Sequence, residues 1–407
     1  MKTIKLGLLS LLVAPMLAGC GGGSDGITLT IWEDESNLKV VAKLAQDWVD
    51  EYHIQYPLAP KITVNVTKQT EKSAIEKMGQ QASTGHGPDI AAVTHDTISS
   101  GVSNKLLAPV RFADEVKERS TEKALDAVSV EEMVYAYPIT AESMVLMYDA
   151  GQVDDVSKLA SFESIKANNL KIGLQLTGDD GGYYSFGLYT DSVLFGENGK
   201  DPRIVDIATP NSINNVLTFY RDYVKKDESN VIYDYTPNNN LVHVKAGRIQ
   251  GLVATPYMLA AMKNSLGESF KIAPLPTING QELRPFSGYK AYVVSRYSTQ
   301  GALAQELANY LTSEESQAYR LQQLGYLPAC HLEGNEDIEY LIENDPNAQV
   351  FKDMLSKSIL MPAIPEMSNF WIPMNNASTA FKNAGDGLTE ETVRSNLDSV
   401  TNKLLGN

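Results

Sequence analysis

From residue 27 onward the chain alternates strand-like and helix-like patterns. Ile27 to Trp32 alternates β-branched and apolar positions and predicts a strand; Leu38, Val41, Leu44, Trp48 and Tyr52 then recur at helical spacing. Lys61 to Val66 predicts a second strand, Glu71 to Ala82 a helix, and Asp89 to Val93 a third strand after a Gly85-His86-Gly87-Pro88 turn. Further strands are predicted at Met144 to Tyr148, Lys171 to Leu176, Ile249 to Ala254, Phe270 to Leu275 and Ala291 to Ser295. Helices are predicted at Ser212 to Lys225, Pro256 to Asn264, Gln300 to Thr312, Ser313 to Gln323 and Asn347 to Ser356. This order is that of an α/β sheet with helices on both faces. There is no internal repeat, no low-complexity tract beyond Asn238-Asn239-Asn240, and no composition shift that marks a linker.

Composition narrows the class. The chain has 407 residues, enough for two to three units at roughly 150 residues per domain. Its formal net charge of -16 disfavours nucleic acid and anionic lipid surfaces as partners, because both need a basic face. Only Cys20 and Cys330 are present, which rules out a disulfide framework and a cysteine-rich zinc site. Lys2 and Lys5 precede an apolar run, Leu6 to Leu17, that is too short and poorly flanked for a membrane span and reads as an export signal. The run ends in Leu17-Ala18-Gly19-Cys20, which resembles the lipobox of bacterial lipoproteins. That resemblance implies removal of residues 1–19, lipid on Cys20 and a flexible tether over residues 20–26. Loss of Lys2 and Lys5 would take the charge from -16 to -18.

The motifs of several enzyme classes are missing. Gly196-Glu197-Asn198-Gly199-Lys200 has the wrong glycine spacing for a phosphate loop and is followed by Asp201 where Ser or Thr is required, so it reads as a surface turn. There is no G-x-S-x-G elbow and no H-E-x-x-H helix; the five histidines are scattered, and His86 and His95 read as solvated or capping residues. Cys330 reads as a small packed hydrophobe. No metal or cofactor is expected.

Several segments, in order from about residue 27 to the C-terminus, resemble the maltose and maltodextrin-binding proteins of bacterial ABC importers, within the extracellular solute-binding proteins. They are Leu29-Thr30-Ile31-Trp32, Ser83 to Ile90 with Thr94-His95-Asp96, Ala136 to Ser143, Phe270 to Pro276 with Pro285-Phe286, and Met361-Pro362-Ala363-Ile364-Pro365-Glu366-Met367-Ser368-Asn369-Phe370-Trp371. The resemblance implies an α/β, two-lobe periplasmic-binding-protein-like fold whose hinge is crossed three times, near Thr140 to Val145, Phe286 to Tyr292 and Tyr340 to Asn347. The N-lobe would comprise 27–140 plus 292–340 and the C-lobe 145–285 plus 347–407.

A pyranose ring offers an apolar C–H face and a rim of vicinal hydroxyls, so its binder needs aromatic plates and paired acceptors. An ionised carboxylate accepts from two neighbouring hydroxyls through charge-assisted bonds. On the resemblance, Trp371, in a Pro-punctuated loop, is the stacking plate, Glu142 and Asp96 are hydroxyl acceptors, and Tyr257 stands where the family has a Trp. Tyr183 and Tyr184 lie near an aromatic subsite, and Glu35 and Ser36 near a polar one. The competing readings are a core role for Trp371, packing for Tyr183 and Tyr184, a solvated acid at Glu142 and a helix cap at Asp96. The chain departs from the family at Val93, where an aromatic is found, and at Thr97 and Asn375, where an Arg is found. These departures favour a related oligosaccharide as the second reading. The expectation is therefore a monomeric, lipid-anchored binding protein on the outer face of the cell membrane. It would capture maltose or maltodextrin and hand it to ABC permease subunits, with no catalytic role. A surface glycoside hydrolase and an adhesin are the alternatives from other classes.

Overall fold

The computed structural model describes residues 26–81, 85–224, 229–232 and 236–406, without the side chains of 179–183. The export signal, Cys20 and the tether up to residue 25 lie outside the described residues. Among the described residues, twelve strands build the two main sheets. β1 (Ile27–Glu33), β2 (Ile62–Lys68), β3 (Ile90–Thr94) and β4 (Tyr137–Ser143) belong to the first, and β5 (Val145–Asp149), β6 (Ile172–Gly173), β7 (Val231–Ile232), β8 (Gly251–Ala254) and β9 (Phe270–Ala273) to the second. β10 (Phe286–Val294), β11 (Leu327–Pro328) and β12 (Ile359–Leu360) return to the first.

In the first sheet the order is β11-β4-β10-β3-β1-β2, with β1 parallel to β2 and β3, and β10 antiparallel to β3 and β4. β3 leaves β10 at Lys290, and β12 takes up the same flank further along, at Phe286 and Ser287. The second sheet runs β7-β6-β8-β5-β9. A single residue, Met144, separates β4 in one sheet from β5 in the other. Two large cores follow among the described residues, one around Ile31, Val41, Ala92 and Val293, the other around Leu146, Phe162, Phe219 and Leu397, with a small third cluster around Ala141 and Tyr289. The molecule is a two-lobe α/β protein.

Local chemistry explains the elements. α1 (Leu38–Gln55) buries Val41, Leu44, Ala45 and Trp48 along one stripe; full burial of a side chain such as Val41 or Leu44 contributes about 1.5–3 kcal/mol. α2 (Glu71–Gln81) packs on β3, and α3 (Ile98–Ser103) follows a 3-10 turn at His95–Thr97. α4 (Gly178–Gly187) and α5 (Pro210–Thr218) belong to the second lobe; Thr209 caps α5 by accepting from Ser212 N–H, with Pro210 at the first helical position. α6 (Glu314–Leu324) is capped by Ser313 and stops at Gly325, whose φ of 75° suits glycine. α7 (Trp371–Ala384) and α8 (Glu390–Leu404) pack on each other and on α4 and α5.

Some elements differ from the sequence expectation. Lys171 to Leu176 contributes only Ile172–Gly173 to a strand, because the neighbours β7 and β8 offer only two paired residues each. The strand expected from Ala291 begins at Phe286, since its first half pairs with β4 and β12. The helix expected over Ser212 to Lys225 passes into a π turn at Phe219–Tyr223.

Candidate functional site

The carboxyl end of β1, the start of α2 and the end of β3 converge on one side of a cavity of about 390 Å³, and the segment after β8 and the start of α7 close the other. Asp34, Ser36, Glu71, Lys72, Thr94 and Asp96 come from the first lobe, and Thr255, Tyr257 and Trp371 from the second. Glu142 on β4, Lys290 on β10 and Met361 after β12 form the floor between them.

Of the residues singled out from sequence, Ser36, Asp96, Glu142, Tyr257 and Trp371 share this cavity. Asp96 caps no helix, since neither His95–Thr97 nor α3 carries a side-chain cap hydrogen bond. Tyr257 is 37% exposed. Trp371 is not in a loop: it opens α7, and Pro373 is tolerated in the first turn, where backbone N–H groups lack intrahelical partners anyway. Its ring stands edge-on to Phe370, with centroids 5.3 Å apart.

Tyr184 requires correction. It is 0% exposed and packs against Phe219 in the second core, so it offers no face to the cavity. Burial pushes its hydroxyl pKa well above the usual phenol range. The side chain of Tyr183 lies outside the described residues. Glu35 does not line the cavity: it is exposed and ion-paired with Lys68. His95 is also corrected. It is buried, and Tyr289 N–H donates to its Nδ1 at 3.3 Å. The proton therefore sits on Nε2, which donates to the Met361 carbonyl at 3.0 Å. Together with the Ser99 hydroxyl, which donates to the Ala363 carbonyl at 2.8 Å, this straps the segment leading to Trp371 onto the first lobe.

Three charges set the electrostatics of the floor. Glu142 pairs in register with Gly288, so it stands diagonal to Lys290 on the same face of the sheet. Lys290 Nζ lies 2.9 Å from Glu71 and 4.0 Å from Glu142. Burial pushes Glu71 from 4.5 up to about 7; Lys290 pulls the other way, while Glu33 and Glu142 add to the rise. Burial opposes the charge on Lys290, but the two carboxylates outweigh it and raise its pKa above that of an ordinary lysine. Glu71 Oε1 has no hydrogen-bond partner among the described residues and is buried. Behind this floor the Tyr292 hydroxyl donates to Glu33, Asn37 donates to the same carboxylate at 3.0 Å, and buried Arg320 donates to the Tyr292 hydroxyl at 2.9 Å. That network fixes the turn carrying Asp34 and Ser36.

Glu71, Lys290, Asp34 and Thr255 are not singled out by the sequence. Lys290 does carry a signal, a cation inside an otherwise apolar strand, where burial is costly unless it is paired. The departures are explained structurally: Val93 is fully buried, Thr97 turns its hydroxyl to the Thr94 carbonyl, and Asn375 accepts from Gly178 N–H at 3.0 Å. Among the described residues no arginine lines the cavity. Among them, too, no group of His, Cys, Asp and Glu is placed to hold a metal ion, and no helix is long and apolar enough to cross a membrane.

Two lobes joined at Met144, where β4 of one sheet passes directly into β5 of the other, with an aromatic and carboxylate-lined cavity between them, define a hinged ligand-binding protein. The chain belongs to the bacterial extracellular solute-binding proteins, whose family model matches residues 48–340. It is 24% identical to a galactooligosaccharide-binding protein of Bacillus subtilis, over 92% of this chain and 91% of that one. It is 25% identical to a maltooligosaccharide ABC transporter solute-binding lipoprotein of Streptococcus pneumoniae, over 92% of this chain and 90% of the other. Its fold matches a maltodextrin-binding protein from L. casei BL23 solved without ligand, with a TM-score of 0.76 at 20% identity over 94% of this chain and 99% of that one. It also matches a cyclo/maltodextrin-binding protein complexed with maltotetraose, with a TM-score of 0.73 at 23% identity over 93% and 97% of the two chains.

Proposed function

We propose that this chain is the substrate-binding lipoprotein of a carbohydrate ABC importer, that it captures maltooligosaccharides between its lobes, and that it has no catalytic role. The observation that carries the reading is the cavity itself. Trp371 and Tyr257 on one lobe supply apolar plates for sugar C–H faces, and Asp96 opposite with Glu142 on the floor supply acceptors for hydroxyls. Ligand bridging the two walls favours the closed arrangement of the lobes, and that arrangement is what permease subunits would recognise. Lipid on Cys20 would hold the protein, as a monomer, at the outer face of the membrane while the tether leaves the lobes free.

A second reading, a galactooligosaccharide ligand, is favoured by the Bacillus subtilis relative and by the lack of arginine in the cavity lining. Isothermal titration with maltotriose and with a galactooligosaccharide of equal length decides between them. The proposal expects heat with maltotriose. Heat with the galacto series alone moves the assignment to the second reading, and heat with neither, or hydrolysis of the sugar, rejects both.

A further inference from the structure

Lys72 and Asp96 also line a second and larger hollow, of about 820 Å³, that runs out between α2 and α3 on the first lobe. Ile75 and Leu106 give its floor apolar surface. Gly79, on α2, leaves that floor open: a Cβ built there would first meet Leu106, at 3.5 Å. The rims are polar, with Gln80 on α2 and Ser100 and Asn104 on and just after α3, and Tyr297, 53% exposed, stands among the lining residues. Thr97 lines this hollow next to Asp96, and its short side chain is folded back onto the Thr94 carbonyl at 2.8 Å.

The chemistry of this hollow repeats that of the inter-lobe cavity. An apolar floor with an aromatic ring suits the C–H faces of sugar rings, and amide and hydroxyl rims suit their hydroxyls. We infer that it is a second set of sugar subsites, occupied by the outer residues of an oligosaccharide whose other end sits between the lobes. The inference rests on the proposed capture of an oligosaccharide in the cleft, and it specifies the ligand further: chains longer than the cleft holds bind more tightly than short ones. Because the hollow lies on the first lobe alone, the outer residues engage it without needing the lobes to close over them.

The test is calorimetric titration of the folded chain with maltotriose and with maltoheptaose, and with short and long galactooligosaccharides in parallel. It is repeated for Tyr297→Ala, which removes the ring, and Ser100→Trp, which fills the hollow from an exposed position. Thermal unfolding of both variants verifies that they fold. Expected are tighter binding of the long chain by the wild type, unchanged short-chain affinity in both variants, and loss of roughly two- to tenfold in long-chain affinity in each, the scale of one aromatic contact. Equal binding of long and short chains by the wild type, or variants that change neither or both equally, overturns the inference while leaving the cleft reading in place. Absence of binding in every series removes the cleft reading and this one with it.

Discussion

Replacing Glu71 by glutamine removes one charge from the buried group Glu71, Lys290 and Glu142 while keeping its shape. Burial raises the Glu71 carboxyl from 4.5 to about 7. A raised acid holds its proton in the folded chain at pH values where the unfolded chain has released it, so folding loses stability as pH rises from 4.5 through 7. A tenfold difference in proton affinity between the folded and unfolded chains corresponds to about 1.4 kcal/mol, and over roughly pH 5 to pH 8 the wild type should lose about 2 to 3 kcal/mol relative to Glu71→Gln. Groups that do not touch Glu71 cancel in that difference; Lys290, whose pKa in the wild type is lowered by burial but raised further by Glu71 and Glu142, keeps Glu142 as its carboxylate partner in the variant. The assay is urea unfolding of both proteins at about pH 5, 6.5 and 8, spanning the proton release, followed by Trp fluorescence; Trp32 and Trp48 lie in the same core as the buried face of α2. A stability gap between the two proteins that stays constant with pH, or moves in the wild type's favour as pH rises, would show that burial does not raise the Glu71 carboxyl. Above pH 7 the ionised carboxylate is tolerated in the folded chain because Lys290 lies 2.9 Å away.

Three other outcomes follow from the same geometry. Trp371→Ala should weaken oligosaccharide binding by about 1 to 3 kcal/mol, the scale of a lost aromatic contact, as read by calorimetry; unchanged affinity rejects its role as a plate. His95→Ala leaves the Tyr289 N–H and the Met361 carbonyl without their buried partner and should cost about 1 to 3 kcal/mol in a chemical denaturation experiment, whereas an unaltered midpoint would show that the strap contributes nothing. Burial pushes the Cys330 thiol up to about 12, so a chain carrying Cys20→Ser should fail to react with a thiol reagent at about pH 8 when native and react fully in urea; rapid native labelling would contradict the burial.

The reach of the sequence differs by element for physical reasons. β1 and β3 are runs of β-branched and apolar residues largely buried in the sheet, β2 is an edge strand that alternates with only Ile62 buried, and their patterns place all three to within a residue or two. β4 carries Pro138, which reads against a strand; the structure accommodates it where the ladder with β10 shifts register, between Lys290 and Ala291. Trp371 reads as a loop residue because Pro362, Pro365 and Pro373 surround it, although a proline in a first turn breaks nothing. Asp96, Glu142, Tyr257 and Trp371 are legible through resemblance to a family, and the structure gathers them from both lobes around one cavity. Tyr184 is not, since residue type alone does not say which side of α4 faces the core. Glu71 and Lys290 are partners brought together by two elements far apart in the chain, which no local pattern reveals.

In the proposed function an oligosaccharide is held between Trp371 and Tyr257 on one lobe and the carboxylates of Asp96 and Glu142. A crystal structure of the chain grown with maltotriose tests it most directly. Closed lobes are expected, with a sugar ring against Trp371 or Tyr257 and hydroxyls within hydrogen-bonding distance of Asp96 and Glu142. A sugar bound elsewhere on the surface with this cavity empty, or no sugar at saturating concentration, would contradict it.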